Sequence, residues 1–173
     1  MHMAWIIAVT AAAVPQSPAE PATLTCHVAT PAGSPLAFSP SVGLTPRRVT
    51  ASGHLEFTGC VSPDGTAAAL SSGWVAVKAT LQTSCTSTRR VRGSAVITWF
   101  GLDSRPVGTS KLRVGADRPA IQRPADTLLI GSVTAGPLTG ERARGGVTPA
   151  TALLGCATQG MAGLAGSGRV TFG

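Results

Sequence analysis

Four cysteines are the residues of this chain whose spacing says most about their chemistry. A structural zinc site is tetrahedral and usually draws its ligands from close pairs. No Cys-x-x-Cys pair occurs here, and the adjacent Cys26 and His27 would point to opposite faces of a strand. The spacings therefore predict no metal site and two disulfides, with all three pairings still open. The residues are Cys26, Cys60, Cys85 and Cys156.

Signatures of catalysis are sparse. Nucleophilic hydrolysis needs a nucleophile beside a base that a third group holds, yet no Gly-x-Ser-x-Gly elbow occurs, and beyond the N-terminal leader the histidines are His27 and His54. Glycosidase chemistry needs two facing carboxylates, and Glu56 alone lies inside a predicted strand. The chain is therefore predicted to be non-catalytic and to need no cofactor. A hydrolase whose site is assembled from distant loops remains an alternative.

The composition indicates one folded domain rich in strands. Of 173 residues, 43% are hydrophobic and 12% are charged, the reverse of the balance that keeps a chain disordered. The 21 glycines and 13 prolines, with β-branched residues between them, favour many short strands joined by turns. Aromatic residues make up 4% and tyrosine is absent, which counts against a carbohydrate cleft or a stacking platform for nucleic acid.

The net charge of +7 favours acidic partners or anionic cell-wall polymers. The alternative is that scattered basic residues keep an acid-poor surface soluble. Two basic clusters stand out, and because neither has interleaved aromatic residues, no nucleic-acid binding is predicted. We interpret both as candidate contacts for a protein partner. Arg47 and Arg48 form one cluster, and Arg89, Arg90 and Arg92 form the other.

The N-terminus predicts export. Residues 4–14 (AWIIAVTAAAV) form an apolar run that is too short to cross a bilayer, and its small residues allow cleavage after Ala13. The usual positive leader is missing, since His2 is the one candidate. We interpret residues 1–13 as a signal-peptide remnant and expect no membrane span after its removal.

Residues 14–22 (VPQSPAEPA) are the expected start of the mature chain. Their prolines favour an extended, polyproline-like arm without internal hydrogen bonds. Such an arm is either a tether or a segment that docks in a partner's groove, because a pre-extended chain loses little entropy on binding. Its candidate partner-binding residues are Pro15, Gln16, Pro18, Glu20 and Pro21.

Residues 23–173 form the predicted domain. Residues 72–81 (SGWVAVKATL) alternate with period two and place Trp74 with Lys78 on one face of a strand. About seven to nine short strands, with no long helical period between them, favour a disulfide-stapled, immunoglobulin-like β-sandwich. We expect Trp74 and Trp99 to pack between its two sheets, the alternative being exposed anchors at an interface.

Two further segments bear on the predicted secondary structure, one as a hairpin turn and the other as a possible short helix. The polar turn at residues 102–106 separates two strand-like runs and predicts a hairpin. Residues 150–164 are ambiguous, because their small residues allow a helical turn but four glycines between positions 155 and 166 weaken a full helix.

Several short motifs follow one another along the chain in an order similar to that found in a known group of proteins. They are Thr25-Cys26, Leu44-Thr45-Pro46, Gly59-Cys60, Ser84-Cys85, Ile97-Thr98-Trp99, residues 131–140, Leu154-Gly155-Cys156 and residues 168–172. In this order of motifs, the chain resembles the small secreted β-sandwich proteins of actinobacteria over about residues 23–172. The resemblance implies a β-sandwich fold and export from the cell. In size and layout the chain is also similar to the adaptor subunit of secreted umbrella toxin particles. That adaptor joins a lectin-bearing spoke to a central ring, partly through an extended N-terminal segment to which residues 14–22 would correspond.

These features predict a secreted, extracellular, non-catalytic binding or adaptor module, a structural subunit of a larger extracellular (toxin) complex. Its partner would be another secreted protein, bound through the N-terminal arm or by strand addition at an exposed sheet edge. The unpaired backbone groups of an edge strand can hydrogen-bond to a partner strand of almost any sequence. A secreted protease inhibitor is the other alternative, with the arm or a loop lying in a protease cleft.

Overall fold

The computed structural model of the chain describes residues 22–115, 129–149 and 154–173. Within these ranges the regular structure is strand except for one short helix, α1 (Leu154–Gln159). The all-β class expected from the composition is confirmed. The strands are β1 (Leu24–Ala29), β2 (Leu36–Val42), β3 (Arg47–Val61), β4 (Ser72–Thr83), β5 (Thr88–Phe100), β6 (Pro106–Gly115), β7 (Gly131–Ala135), β8 (Arg142–Pro149), β9 (Met161–Leu164) and β10 (Gly166–Phe172).

These strands form one antiparallel sheet that closes on itself. The closed part follows the order β1-β10-β8-β7-β6-β5-β4-β3, and a further pairing of β1 with β3 completes an eight-stranded barrel. The sheet extends beyond the barrel, because β2 pairs with β3 and β9 pairs with β2. The hairpin predicted around residues 102–106 is confirmed as β5 and β6.

The length of β3 makes the closure possible. At 15 residues, it carries two neighbours in succession along one edge. Its first half pairs with β2 at Thr50, Ala51 and Ser52, and its second half pairs with β1 between Glu56 and Val61. The expected immunoglobulin-like sandwich is therefore replaced by a barrel, since one sheet wraps around the core where two would have packed face to face.

The core lies inside the barrel and is supplied by alternate residues of the strands. In β4, every second side chain is buried. The rings of Phe57, Trp99 and Phe172 pack together with centroids between 5.8 and 6.2 Å apart. The indole N–H of Trp99 donates a 2.8 Å hydrogen bond to the hydroxyl of Ser110, which satisfies its buried polar group. The prediction that Trp99 packs in the core is confirmed.

The four cysteines form two disulfides, as their spacing predicted, and the structure gives the pairing. Cys26–Cys60 joins β1 to β3 where the barrel closes. Cys85–Cys156 joins the turn between β4 and β5 to α1. Two disulfides indicate an oxidising, extracellular environment.

Several expectations concern segments that the structure does not describe. The signal-peptide remnant at residues 1–13 lies outside the described residues, as does the arm apart from Ala22. This includes the candidate partner-binding residues Pro15, Gln16, Pro18, Glu20 and Pro21. In the ranges that are described, no helix has the length and apolar character needed to span a membrane.

Candidate functional site

A groove lined by arginines lies on the outer face of the barrel, where β3, β4 and β5 run side by side. Its volume is about 580 Å³. Ladder pairing brings its side chains together, since Arg48 lies opposite Gln82 and Thr80 lies opposite Arg92. We call it the arginine groove, and it is lined by Arg48, Thr80, Leu81, Gln82, Arg90 and Arg92.

A β-bulge in β5 accompanies the placement of Arg90 and Arg92 in the groove, whereas Arg89 is exposed but does not line it. Between Arg89 and Arg92, β5 has two residues, Arg90 and Val91, where β4 has only Leu81. The φ angle of Arg90 is 53°, a left-handed conformation that residues with side chains rarely adopt. The extra residue shifts the alternation, so all three arginines of this stretch are exposed while Val91 is buried.

The turn between β4 and β5 holds the bulged strand in place. Thr83 ends β4, Thr88 begins β5, and their buried hydroxyl groups are hydrogen-bonded at 2.8 Å. Cys85 lies in the turn itself, and its disulfide to Cys156 fixes the turn to α1. The end of this hairpin is thus tied to a second element rather than projecting freely.

Gly93 allows β4 and β5 to approach closely beside the groove. A Cβ atom at this position would overlap the backbone oxygen of Lys78 and the Cα atom of Ala79. Any side chain would push the two strands apart, so glycine is required where β5 leaves the bulge.

The groove concentrates uncompensated positive charge. In the part of the chain that the structure describes, the one ion pair joins the exposed Arg105 and Asp103 at 3.5 Å. The three groove arginines therefore have no carboxylate partner there. An anion bound in the groove would accept charge-assisted hydrogen bonds from these arginines.

Arg47 faces a different cavity from its neighbour Arg48. Its guanidinium donates a hydrogen bond to the backbone oxygen of Ser41 and lies 3.5 Å from the Ser41 hydroxyl. The cavity has a volume of about 480 Å³ and lies between the β2–β3 loop and α1, next to Cys156. The two arginines that the sequence groups together are separated, because successive residues of a strand point to opposite sides.

The same outer face carries an aromatic patch, which we define as His54, Trp74 and Val96. Trp74 is 40% exposed, and its ring centroid lies 5.3 Å from that of His54. The expectation that Trp74 packs in the core is wrong. It shares its strand face with Lys78, whose charged group must reach water, so the indole stays outside with it.

Sequence reasoning found the arginines of the groove and missed its polar lining. Thr80 already belongs to the period-two pattern of residues 72–81 and shares the face of Lys78, and extending that pattern by one residue would have placed Gln82 there as well. Of the residues considered for hydrolysis, His54 is exposed and Glu56 is half-buried on the same face of β3. No cluster of three or more metal-ligating side chains occurs within the described ranges.

Comparison with known proteins found no family model, no curated protein and no solved structure that matches this chain.

Proposed function

We propose that this protein is a secreted, non-catalytic binding module that recognises an acidic group of another protein through the arginine groove. One observation carries the proposal: three arginines line one groove of about 580 Å³ without a carboxylate partner in the described chain. Guanidinium groups pair with carboxylates and phosphates through parallel N–H···O bonds, which gives both affinity and orientation.

The left-handed backbone at Arg90 supports a binding role. Such a conformation is unfavourable for a residue with a side chain, and it is typical of functional sites, where the surrounding structure maintains it. At a position that needed only this backbone shape, glycine would be the ordinary choice. Arginine at this position adds a guanidinium group to the groove at the expense of local stability.

Export and an adaptor role belong to the same proposal. The two disulfides suit an oxidising compartment, and the apolar run at residues 4–14 has the length of the apolar core of a secretory signal. An adaptor needs a second contact besides the groove. The proline-rich arm at residues 14–22 would supply it, or else strand addition at β9, the strand at the open end of the sheet order.

A direct test uses a hexaglutamate peptide as the probe for the groove. The triple variant R48Q/R90Q/R92Q removes the groove's charge, and R105Q/R144Q/R169Q removes the same charge from exposed positions elsewhere. We expect the groove variant to lose about tenfold or more in affinity and the control to lose less than about threefold, measured by fluorescence anisotropy. Equal losses in the two variants would mean that only the overall charge matters and would overturn the proposal.

Co-purification from the native secretome tests the adaptor role. The wild type and the control variant should each return the same protein in stoichiometric amount, and the groove variant should return less of it. Deleting residues 14–22 separates the contribution of the arm from that of the groove. Recovery of the protein alone under mild conditions would contradict an adaptor role.

A further inference from the structure

The arginine groove and the aromatic patch lie on one continuous surface, the outer face of β3, β4, β5 and β6. These four strands pair in order, so their outward side chains form rows across the sheet. Trp74 and Gln82 mark the two ends of this surface on β4. They are eight residues apart in the chain, which corresponds to roughly 26 Å along a strand.

The positive charge extends from the groove towards the middle of this face. One row across the four strands consists of Ser52, Lys78, Ser94 and Arg113, which pair in sequence. The next row towards Trp74 ends at Lys111, opposite Val96. A ligand that extends out of the groove along the sheet therefore continues to meet basic side chains.

The aromatic end of the face has the opposite character. Glu56 lies directly opposite Trp74 and is the one acidic residue of β3, β4, β5 and β6. Val96 is 42% exposed and is diagonal to Trp74 across the β4–β5 ladder. At Trp74 itself an acidic group would meet Glu56, whereas an apolar group can cover the exposed indole.

We infer that this face docks an acidic segment of a partner protein in a single orientation. An apolar side chain of the segment packs on Trp74 and Val96, and its carboxylates, about eight residues away, lie in the arginine groove. The inference rests on the proposed function and names the partner's chemistry. Tryptophan and arginine are the residue types most enriched at the energetic centres of protein interfaces.

Other occupants fit this face less well. A second copy of the chain carries the same net charge of +7, so association is opposed by repulsion. An acidic glycan would find one exposed indole with a histidine against it, and it has no apolar side chain to cover Val96. A peptide offers both an apolar anchor and carboxylates at a fixed separation.

The test uses two synthetic peptides of about 12 residues. Both carry four glutamates at one end, and about eight positions away one has leucine where the other has serine. We expect the leucine peptide to bind the wild type about tenfold more tightly, because the leucine side chain moves out of water when it packs on the Trp74 ring. W74A should remove this difference, so that the two peptides bind to it equally. L44A, which removes an exposed apolar side chain from the β2–β3 loop, should preserve the difference.

Quenching of fluorescence by acrylamide gives a second readout. Acrylamide reaches the exposed Trp74, whereas the buried Trp99 is shielded from it. The difference in fluorescence quenching between the wild type and W74F therefore reports on Trp74. The leucine peptide should protect Trp74 from quenching, and the serine peptide should not.

The outcomes separate this inference from the proposed function. If both peptides bind the wild type equally, the docking inference is overturned, whereas the function stands as long as R48Q/R90Q/R92Q weakens both. If that variant binds both peptides as the wild type does, the proposed function itself is overturned. A heparin-derived oligosaccharide that binds more tightly than either peptide and loses affinity in W74A would show a glycan surface instead.

Discussion

Arg47 and Arg48 are neighbours in β3, yet they belong to two different regions of the molecule. Arg47 lines the cavity beside α1, and its guanidinium donates hydrogen bonds to the backbone oxygen and the hydroxyl of Ser41. Arg48 turns to the opposite side of the strand and joins Arg90 and Arg92 in the groove. In the described part of the chain, no carboxylate or other acceptor is bonded to these three.

The comparison teaches that charge in the sequence does not by itself mark a binding residue. A guanidinium that the protein's own acceptors already hold contributes to local structure. An arginine that lines an open groove without such acceptors is available to an external anion.

The largest effect is expected from removing the disulfides. C85S/C156S and C26S/C60S should each cost about 2–5 kcal/mol in the free energy of unfolding, measured with urea. Only C85S/C156S should also weaken hexaglutamate binding in the folded protein, because that disulfide anchors the turn before the bulged strand. Equal affinity in the two double variants would show that the groove does not depend on this anchor.

The sharpest contrast is between the two adjacent arginines. R48Q should lower hexaglutamate affinity by about fivefold to tenfold and leave stability nearly unchanged, since it removes one charge from the groove. R47Q should lower the free energy of unfolding by about 0.5–1 kcal/mol through loss of its hydrogen bonds, with little effect on affinity. Calorimetric titration and urea unfolding of both variants measure the two quantities, and the reverse pattern would contradict the division into two regions.

R90G tests whether binding and stability conflict at the bulge. Glycine adopts the observed φ of 53° without strain but loses more backbone entropy on folding. The net expectation is a gain of about 0.5–1 kcal/mol in the free energy of unfolding. Hexaglutamate affinity should fall at the same time, as a guanidinium is lost. A less stable variant would mean that the Arg90 side chain makes a structural contact that outweighs the backbone strain.

The smallest effect concerns Asp64, an exposed carboxylate outside both regions. Hydrogen bonds from the Thr66 hydroxyl, the Thr66 backbone N–H and the Ser62 hydroxyl lower the pKa of Asp64 below its usual 3.8. Because the pKa is lower in the folded state, the stabilisation is present above pH 3.8 and is lost as the pH falls through the lowered pKa.

Asp64→Asn separates this effect from the groove. The difference in urea midpoint between the wild type and the variant should shrink as the pH falls below 3.8. Sulfate, an anion at these pH values, serves here as the probe for the groove, and both proteins should bind it equally because Asp64 does not line the groove. A midpoint difference that stays constant with pH would show that the carboxylate charge of Asp64 is not what stabilises the turn.

Much of the fold could be predicted because its signals are local. Alternation within residues 72–81 gave β4 and the face on which Lys78 lies, and the turn at 102–106 gave the β5–β6 hairpin. Arg89, Arg90 and Arg92 were recognised as a basic cluster, but their place in a strand was missed. A β-bulge breaks the period-two pattern that would have revealed that strand.

By itself, the sequence determined the strand-rich class, the presence of disulfides and the positions of most strands, since these follow from neighbouring residues and from composition. The tertiary structure alone decided that the sheet closes as a barrel, that Cys26 pairs with Cys60, and that Arg48 lines the same groove as Arg92 while Arg47 lines another cavity. Each of these depends on which distant strands become neighbours and in what register. A shift of one residue would turn every side chain of a strand to the other face, so no local pattern can specify them.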